Sequence, residues 1–186
     1  MSSFDTKLRW VSYGIWDIPV GRGRRYLSNM NAIANGVLGG WELAPVLTIR
    51  TGFPFTIRDS VDTSLTDGPF IHIGRPSLVH KERIIGDPNH WYDETAYVRA
   101  AIGQFGNLGR NTLRTDNMRN VDLGIMKNFT TLKDRMRFQF RAEMFNLTNS
   151  AVFSLPGNDP FSPTPGAVGG TLIRNREAQL GLKLLF

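Results

Sequence analysis

The sequence predicts an all-β chain of antiparallel up-and-down strands, on three observations. From Arg135 to Met144 the period of a strand puts Arg135, Arg137, Gln139, Arg141 and Glu143 on one face and Met136, Phe138, Phe140, Ala142 and Met144 on the other. The final run, Gln179 to Phe186, alternates to its last residue, with Leu180, Leu182, Leu184 and Phe186 sharing a face that must be covered or must meet something apolar. The connections also alternate in length: Thr130 to Asp134 is a tight turn, whereas Thr148 to Glu177 is a long stretch rich in Asn, Pro, Gly and Ser. Faces split into wet and greasy, joined by short turns at one end and long loops at the other, describe a transmembrane β-barrel wall, here as a partial barrel of about five main strands.

The strands follow in order. The first is expected over Leu8 to Ile18, closed by Pro19 and the Gly21-Arg22-Gly23 cluster, with imperfect alternation. The connection Gly21 to Gly40 carries a short helix candidate over Tyr26 to Leu38. A second strand is expected from about Trp41 to Thr56, with Trp41, Leu43, Leu47 and Ile49 opposite Glu42, Thr48 and Arg50; Pro45 falls on its apolar side and cannot donate to a ladder. The stretch from Ile57 to Arg119 is a very long outer excursion, expected to hold further short strands or to fold over the barrel mouth. The third strand spans Asn120 to Phe129, with Val121, Leu123 and Ile125 opposite Asp122, Gly124 and Met126. The fourth spans Arg135 to Leu147, and the fifth is the terminal run.

Composition narrows the function classes. In 186 residues no apolar stretch approaches the roughly 18 needed for a transmembrane helix. A barrel evades that test because its strands alternate lipid-facing and lumen-facing residues. With no Cys there is no disulfide framework and no thiolate metal site. The formal net charge of +6 is compatible with nucleic acid. Its placement is not: base-stacking sheets carry aromatic and basic groups on one face, and here they lie on opposite faces. No secretory signal opens the sequence. Bacterial barrels have an even number of strands, at least about eight, and must close. Five strands are therefore expected to be the last portion of a barrel whose other strands lie elsewhere, so that residues 1–186 form one barrel portion without a plug, signal peptide or regulatory-like domain.

Several stretches, in order along nearly the whole chain, carry a resemblance. They are Ile18-Pro19-Val20-Gly21-Arg22-Gly23-Arg24, Gly39-Gly40-Trp41-Glu42-Leu43, Thr51-Gly52-Phe53-Pro54-Phe55, Phe105-Gly106-Asn107-Leu108-Gly109-Arg110-Asn111, Asn120-Val121-Asp122-Leu123-Gly124, Lys127-Asn128-Phe129 and Phe140 through Asn149. Together they resemble the C-terminal end of a TonB-dependent outer-membrane receptor, in particular the Oar-like group whose members begin with a carboxypeptidase-regulatory-like domain. The terminal spacing Gln179, Gly181, Leu184, Phe186 is similar to the signal read by the barrel-assembly machinery of the bacterial outer membrane. The resemblance implies a gated pore for active uptake of a solute, with the remainder of the receptor, including its plug, as partner. It implies coupling to TonB through an N-terminal part, and outer-membrane lipid as surroundings. Transport by this chain alone is not expected.

Arg137, Gln139, Arg141 and Glu143, with Asp122 on the adjacent strand, are lumen-facing candidates, either as a ladder of cross-strand ion pairs or as part of a solute path. Trp10, Tyr13, Trp16 and Trp41 suit an interfacial aromatic girdle or a packed core. His72, His80 and His90 have no partner at helical i, i+4 spacing and no neighbouring carboxylate in a ligand pattern, so no metal is expected. Gly21-Arg22-Gly23-Arg24-Arg25 lacks the ending of a phosphate loop and reads as a turn with solvated charges. Asn128-Phe129-Thr130 and Asn146-Leu147-Thr148 match a glycosylation pattern by coincidence. No Ser/His/Asp or Cys/His arrangement points to an enzyme, and no cofactor is expected. The alternative reading is a soluble all-β binding module, carbohydrate-directed or similar, which requires a second sheet over the greasy stripe.

Overall fold

The computed structural model describes residues 1–66, 74–130 and 137–185. The strands in chain order are β1 (Arg9–Tyr13), β2 (Trp16–Asp17), β3 (Trp41–Arg50), β4 (Pro54–Phe55), β5 (Ser77–Leu78), β6 (Ile84–Asp87), β7 (His90–Tyr92), β8 (Tyr97–Val98), β9 (Leu113–Arg114), β10 (Met118–Thr130), β11 (Arg137–Phe145) and β12 (Glu177–Leu185). One short helix, α1 (Ala32–Leu38), precedes β3. Among the described residues no helix is long and apolar enough to cross a membrane, which says nothing of a β-barrel.

The long strands form one sheet in the order β1-β3-β10-β11-β12, with β2 also on β3. The five expected strands are therefore present, and β10, β11 and β12 pair antiparallel in strict register. Because directly opposed residues share a face, the register reads as rows across three strands. The greasy rows are Leu123-Met144-Ala178, Ile125-Ala142-Leu180, Lys127-Phe140-Leu182 and Phe129-Phe138-Leu184. The wet rows between them are Gly124-Glu143-Gln179, Met126-Arg141-Gly181 and Asn128-Gln139-Lys183. The sheet is open, with β1 and β12 at its edges.

Two expected strands are shorter than the alternation suggested. The first is split into β1 and β2 at Gly14 and Ile15. Gly14 N–H reaches the Pro45 carbonyl at 3.4 Å, and Pro45 has no N–H to return the bond, so the partner strand breaks where the ladder loses its donor. β3 itself runs through Pro45 uninterrupted. The second strand ends at Arg50 rather than Thr56, because Pro54 and Phe55 leave it and pair with Arg114 and Leu113. The helix is also shorter than expected: Leu27 has φ +58°, outside helical space, and the first turn starts only at Asn31, whose side chain accepts from Ala34 N–H at 2.7 Å. Residues 131–136, which include most of the expected Thr130 to Asp134 turn together with Arg135 and Met136, lie outside the described residues. So do His72 and Phe186.

The chain divides into two units. The sheet unit comprises residues 10–49, 119–150 and the chain from Ile173 onward. The second unit comprises Met1–Arg9, Arg50–Met118 and Ala151–Leu172, so the long excursion and the long loop before β12 fold together. This second unit has its own core: Phe55, Ile57, Trp91, Tyr92, Ala96, Tyr97, Leu108 and Leu113, with Phe153, Phe161 and Val168 packed against it. Its strands are only two to four residues long, in the pairs β4-β9, β5-β8 and β6-β7. At such lengths the ladders contribute little, and the aromatic core holds the unit. Tyr92 stands edge-on to Tyr97 at 5.8 Å and tilted to Phe55 at 6.3 Å, while Trp91 stands edge-on to Phe153 at 5.9 Å.

Candidate functional site

On the sheet unit, the polar stripe is placed by alternation alone. Arg141 Nη1 lies 3.9 Å from Glu143 on the same strand, Glu143 accepts from the Gln179 amide across to β12, and Gln139 Nε2 donates to Asn128 Oδ1 at 3.0 Å across to β10. Exposed pairs of this kind are worth about 0–1 kcal/mol, so they maintain a hydrated face more than they hold the fold. Arg137 is exposed on the same face. Asp122 pairs with no arginine among the described residues: its carboxylate takes the Asn120 amide at 2.9 Å and the Asn146 backbone N–H at 2.8 Å. Of the terminal residues, Gln179 and Gly181 lie on the wet face opposite Glu143 and Arg141, and Leu184 lies on the greasy face opposite Phe138.

Toward β12 the opposite face is bare. Leu180 is 76% and Leu182 72% exposed, and Trp16, opposite Leu43, is exposed as well. Each large apolar side chain left in water forgoes about 1.5–3 kcal/mol. Several of them amount to much of the roughly 5–15 kcal/mol that holds a domain together. No second sheet covers this stripe among the described residues, so the face suits an apolar solvent rather than a sandwich core.

One cation breaks the greasy face. Lys127 is 2% exposed, and its Nζ donates to the carbonyl of Val37, near the C-terminus of α1, at 2.8 Å. The ammonium lies 4.9 Å from the Trp41 ring centre and 5.1 Å from that of Phe129, while Trp41 Nε1 donates to the same Val37 carbonyl at 2.9 Å. A cation at a helix C-terminus, flanked by aromatic faces, is favourably placed. The sequence reading passed over this arrangement, although a Lys in phase with Leu123 and Ile125 is a visible signal.

A second overlooked position is Asn146, set aside above as a chance glycosylation pattern. It is buried at φ +48°, its Nδ2 donates to the carbonyls of Ser150 at 3.0 Å and Arg174 at 2.9 Å, and its Oδ1 accepts from Ser150 N–H at 2.9 Å. With its backbone N–H on Asp122, this one residue joins the start of β10, the end of β11 and the approach to β12. Asn149, at φ +51°, accepts from Arg176 N–H at 3.0 Å.

The loop unit holds a cavity of about 740 Å³, with Phe53, Phe55, Thr56, Asn111, Thr115 and Asn158 in its wall. That volume falls in the range of small-molecule sites, roughly 300–1,000 Å³. Part of its wall comes from two stretches far apart in sequence, Phe53 to Arg58 and Arg110 to Asn111, each preceded by a glycine at a close backbone contact. A Cβ on Gly52 would meet the Thr115 carbonyl O at 1.9 Å, and one on Gly106 would meet the Arg75 carbonyl O at 1.9 Å, so only glycine lets these backbones touch. Asn111, at φ +58°, accepts from Thr56 Oγ1 at 2.9 Å and donates through Nδ2 to the Met1 carbonyl at 2.8 Å.

Around the aromatic core the electrostatics are those of buried phenols. Tyr92 donates to the Gly157 carbonyl at 2.9 Å, and burial, with Asp159 nearby, pushes its ionisation above the ordinary tyrosine range. Tyr97 donates to Glu82 at 2.7 Å and is pushed up in the same way, by burial first and then by that carboxylate. Asp93 is held below the usual carboxylate range, chiefly by the Thr95 hydroxyl. His90 does have a partner at i+4, contrary to the sequence reading: its Nε2 lies 2.6 Å from Glu94, brought round by the β7 end and a 3-10 turn over Glu94–Ala96. His80 faces the Thr95 hydroxyl at 3.3 Å. No group of three or more potential metal ligands occurs among the described residues.

The family model described as outer membrane beta barrel domain matches residues 1–179. No curated protein and no solved structure matches the chain. A hydrated face, a bare greasy face and an open antiparallel sheet agree with that match, and the chain belongs to the outer membrane beta barrel domain family, whose place is the bacterial outer membrane.

Proposed function

We propose that this chain is the C-terminal barrel segment of a TonB-dependent receptor of the Oar-like group, taking part in active uptake of a solute. The observation that carries the reading is the meeting of two of the resembling stretches in the loop unit. Phe55 of Thr51-Gly52-Phe53-Pro54-Phe55 pairs with Leu113, and Asn111 of Phe105 to Asn111 bonds Thr56, so both stretches build one cavity wall. Both long connections meet the sheet at the same end, because the start of β10 pairs toward the end of β11 and Phe145 pairs with Glu177 at the start of β12. In a receptor with short periplasmic turns that is the outer side.

In this reading Asp122, Arg137, Gln139, Arg141 and Glu143 face the lumen, and the open edges of β1 and β12 pair with further strands of the barrel, because lipid tolerates no unpaired edge. The partners are outer-membrane lipid, the barrel-assembly machinery and the remainder of the receptor with its plug; TonB is reached through that remainder. The chain has no catalytic role.

The test is uptake by cells carrying the full receptor, with and without an uncoupler of the inner-membrane proton gradient. Accumulation that stops with the uncoupler supports the reading. Solute flux that continues unchanged, or passive flux of the same solute through the receptor in liposomes, contradicts it.

A further inference from the structure

We infer that the 740 Å³ cavity of the loop unit binds a solute that joins an anionic group, such as a carboxylate, to an apolar body. The inference rests on the uptake role proposed above and names its solute class. Three exposed arginines, Arg58, Arg75 and Arg110, line the cavity, and no Asp or Glu is among its described lining residues. They come from three separate stretches of the chain, so their convergence is a product of the fold and not of a charged run.

Three other arginines of this unit meet carboxylates: Arg114 pairs with Asp5, Arg99 lies 3.3 Å from Asp59 and Arg83 lies 3.6 Å from Asp93. At the cavity, Arg58 and Arg75 have no side-chain partner among the described residues, and Arg110 makes one 3.4 Å contact to the Ser3 hydroxyl. Like charges gathered around a concave wall raise its potential, and an entering anion lowers the energy of all three. Guanidinium groups also present paired N–H donors that fit a carboxylate. The remaining wall is apolar in part, with Phe53, Leu155 and Leu172. A small hydrated anion would leave those side chains facing water, whereas an anion with an apolar body covers them.

The probes are 2-naphthoate, 2-naphthamide of the same shape, and acetate. Binding is measured by titration calorimetry on the full receptor in lipid nanodiscs, with empty nanodiscs subtracted. Naphthoate is expected to bind about tenfold or more tighter than either of the others, the range expected of a charge-assisted hydrogen bond. High salt should narrow its lead over the amide. The double variant Arg58→Gln, Arg75→Gln should bring naphthoate to the level of the amide, whereas Arg176→Gln, on the sheet unit, should leave the preference intact. Because Arg58 and Arg75 make no side-chain bond among the described residues, the double variant should keep the parent's melting temperature. Equal binding of acid and amide, no naphthoate binding, or an unchanged preference in a folded double variant would overturn the inference. Acetate binding as tightly as naphthoate would overturn its apolar half. The assay uses no energy source, so a protein that binds naphthoate but transports nothing refutes the uptake role alone. One that is required for energised uptake yet shows no charge preference refutes this inference alone.

Discussion

Lys127 Nζ donates to the Val37 carbonyl at 2.8 Å and so fastens α1 to the greasy face of the sheet, the one cation in its rows of apolar side chains on β10, β11 and β12. Lys127→Met keeps the aliphatic stem and removes the donor. A hydrogen bond from a charged donor contributes about 1.5–3 kcal/mol, so the α1 amides of Asn35 and Gly39, bonded at 3.0 Å within the turn, should exchange about tenfold or more faster with deuterium. Unchanged exchange at these amides would mean that the bond does not hold the helix.

Asn146→Ala should cost roughly 2–4 kcal/mol, because it removes three side-chain hydrogen bonds and leaves a non-glycine residue at φ +48° without local compensation. Asn149→Ala, which loses one such bond to Arg176 N–H, should cost about 1 kcal/mol. Urea titration in lipid vesicles compares the two, and the order Asn146 above Asn149 is the expected result.

Tyr92 and Tyr97 both ionise above the ordinary tyrosine range, for which burial is the first cause. With the folded value raised above the unfolded one, their contribution to stability is complete below about pH 10 and is lost as pH rises through the folded values. The absorbance difference between the parent and Tyr92→Phe, Tyr97→Phe should therefore show no tyrosinate near pH 10 and should develop only when the loop unit unfolds. A tyrosinate signal in that difference near pH 10, with the fold intact, would refute the buried-phenol core.

Asp93 has the opposite sign. Its folded value lies below the usual carboxylate range, so what it contributes is present above about pH 4 and is lost as pH falls through the lowered value. Thr95→Val removes the main cause, the hydroxyl bonded to Asp93 Oδ1. The Asp93 carboxyl should then titrate at higher pH by carbon-13 NMR, and the start of acid unfolding should move the same way.

The sheet was legible in the sequence because period-two alternation survives in single residues: Phe138, Phe140 and Ala142 against Arg137, Gln139 and Arg141 need no distant partner to be recognised. The breaks were less legible. Pro45 announced a missing donor, but only the register shows that the cost falls on the partner strand at Gly14. The loop unit was not legible as a unit, because its core joins Phe55, Trp91, Tyr97, Leu113 and Val168 from separate stretches, and its two-residue strands are too short to alternate. The cavity arginines were invisible for the same reason. Asn146 was legible only as a pattern: its role depends on Asp122, Ser150 and Arg174 arriving around it.

The central claim is that β12 presents one face to lipid and the other to water. The chain contains no Cys, so single cysteines can be introduced at positions 179 to 184 and spin-labelled one at a time in lipid vesicles. Paramagnetic relaxation then measures access to oxygen, which concentrates in lipid, and to a water-soluble nickel chelate. The expected result is a period of two, with positions 180, 182 and 184 open to oxygen and positions 179, 181 and 183 open to nickel. Equal access along the strand, or nickel access at 180 and 182, would contradict it.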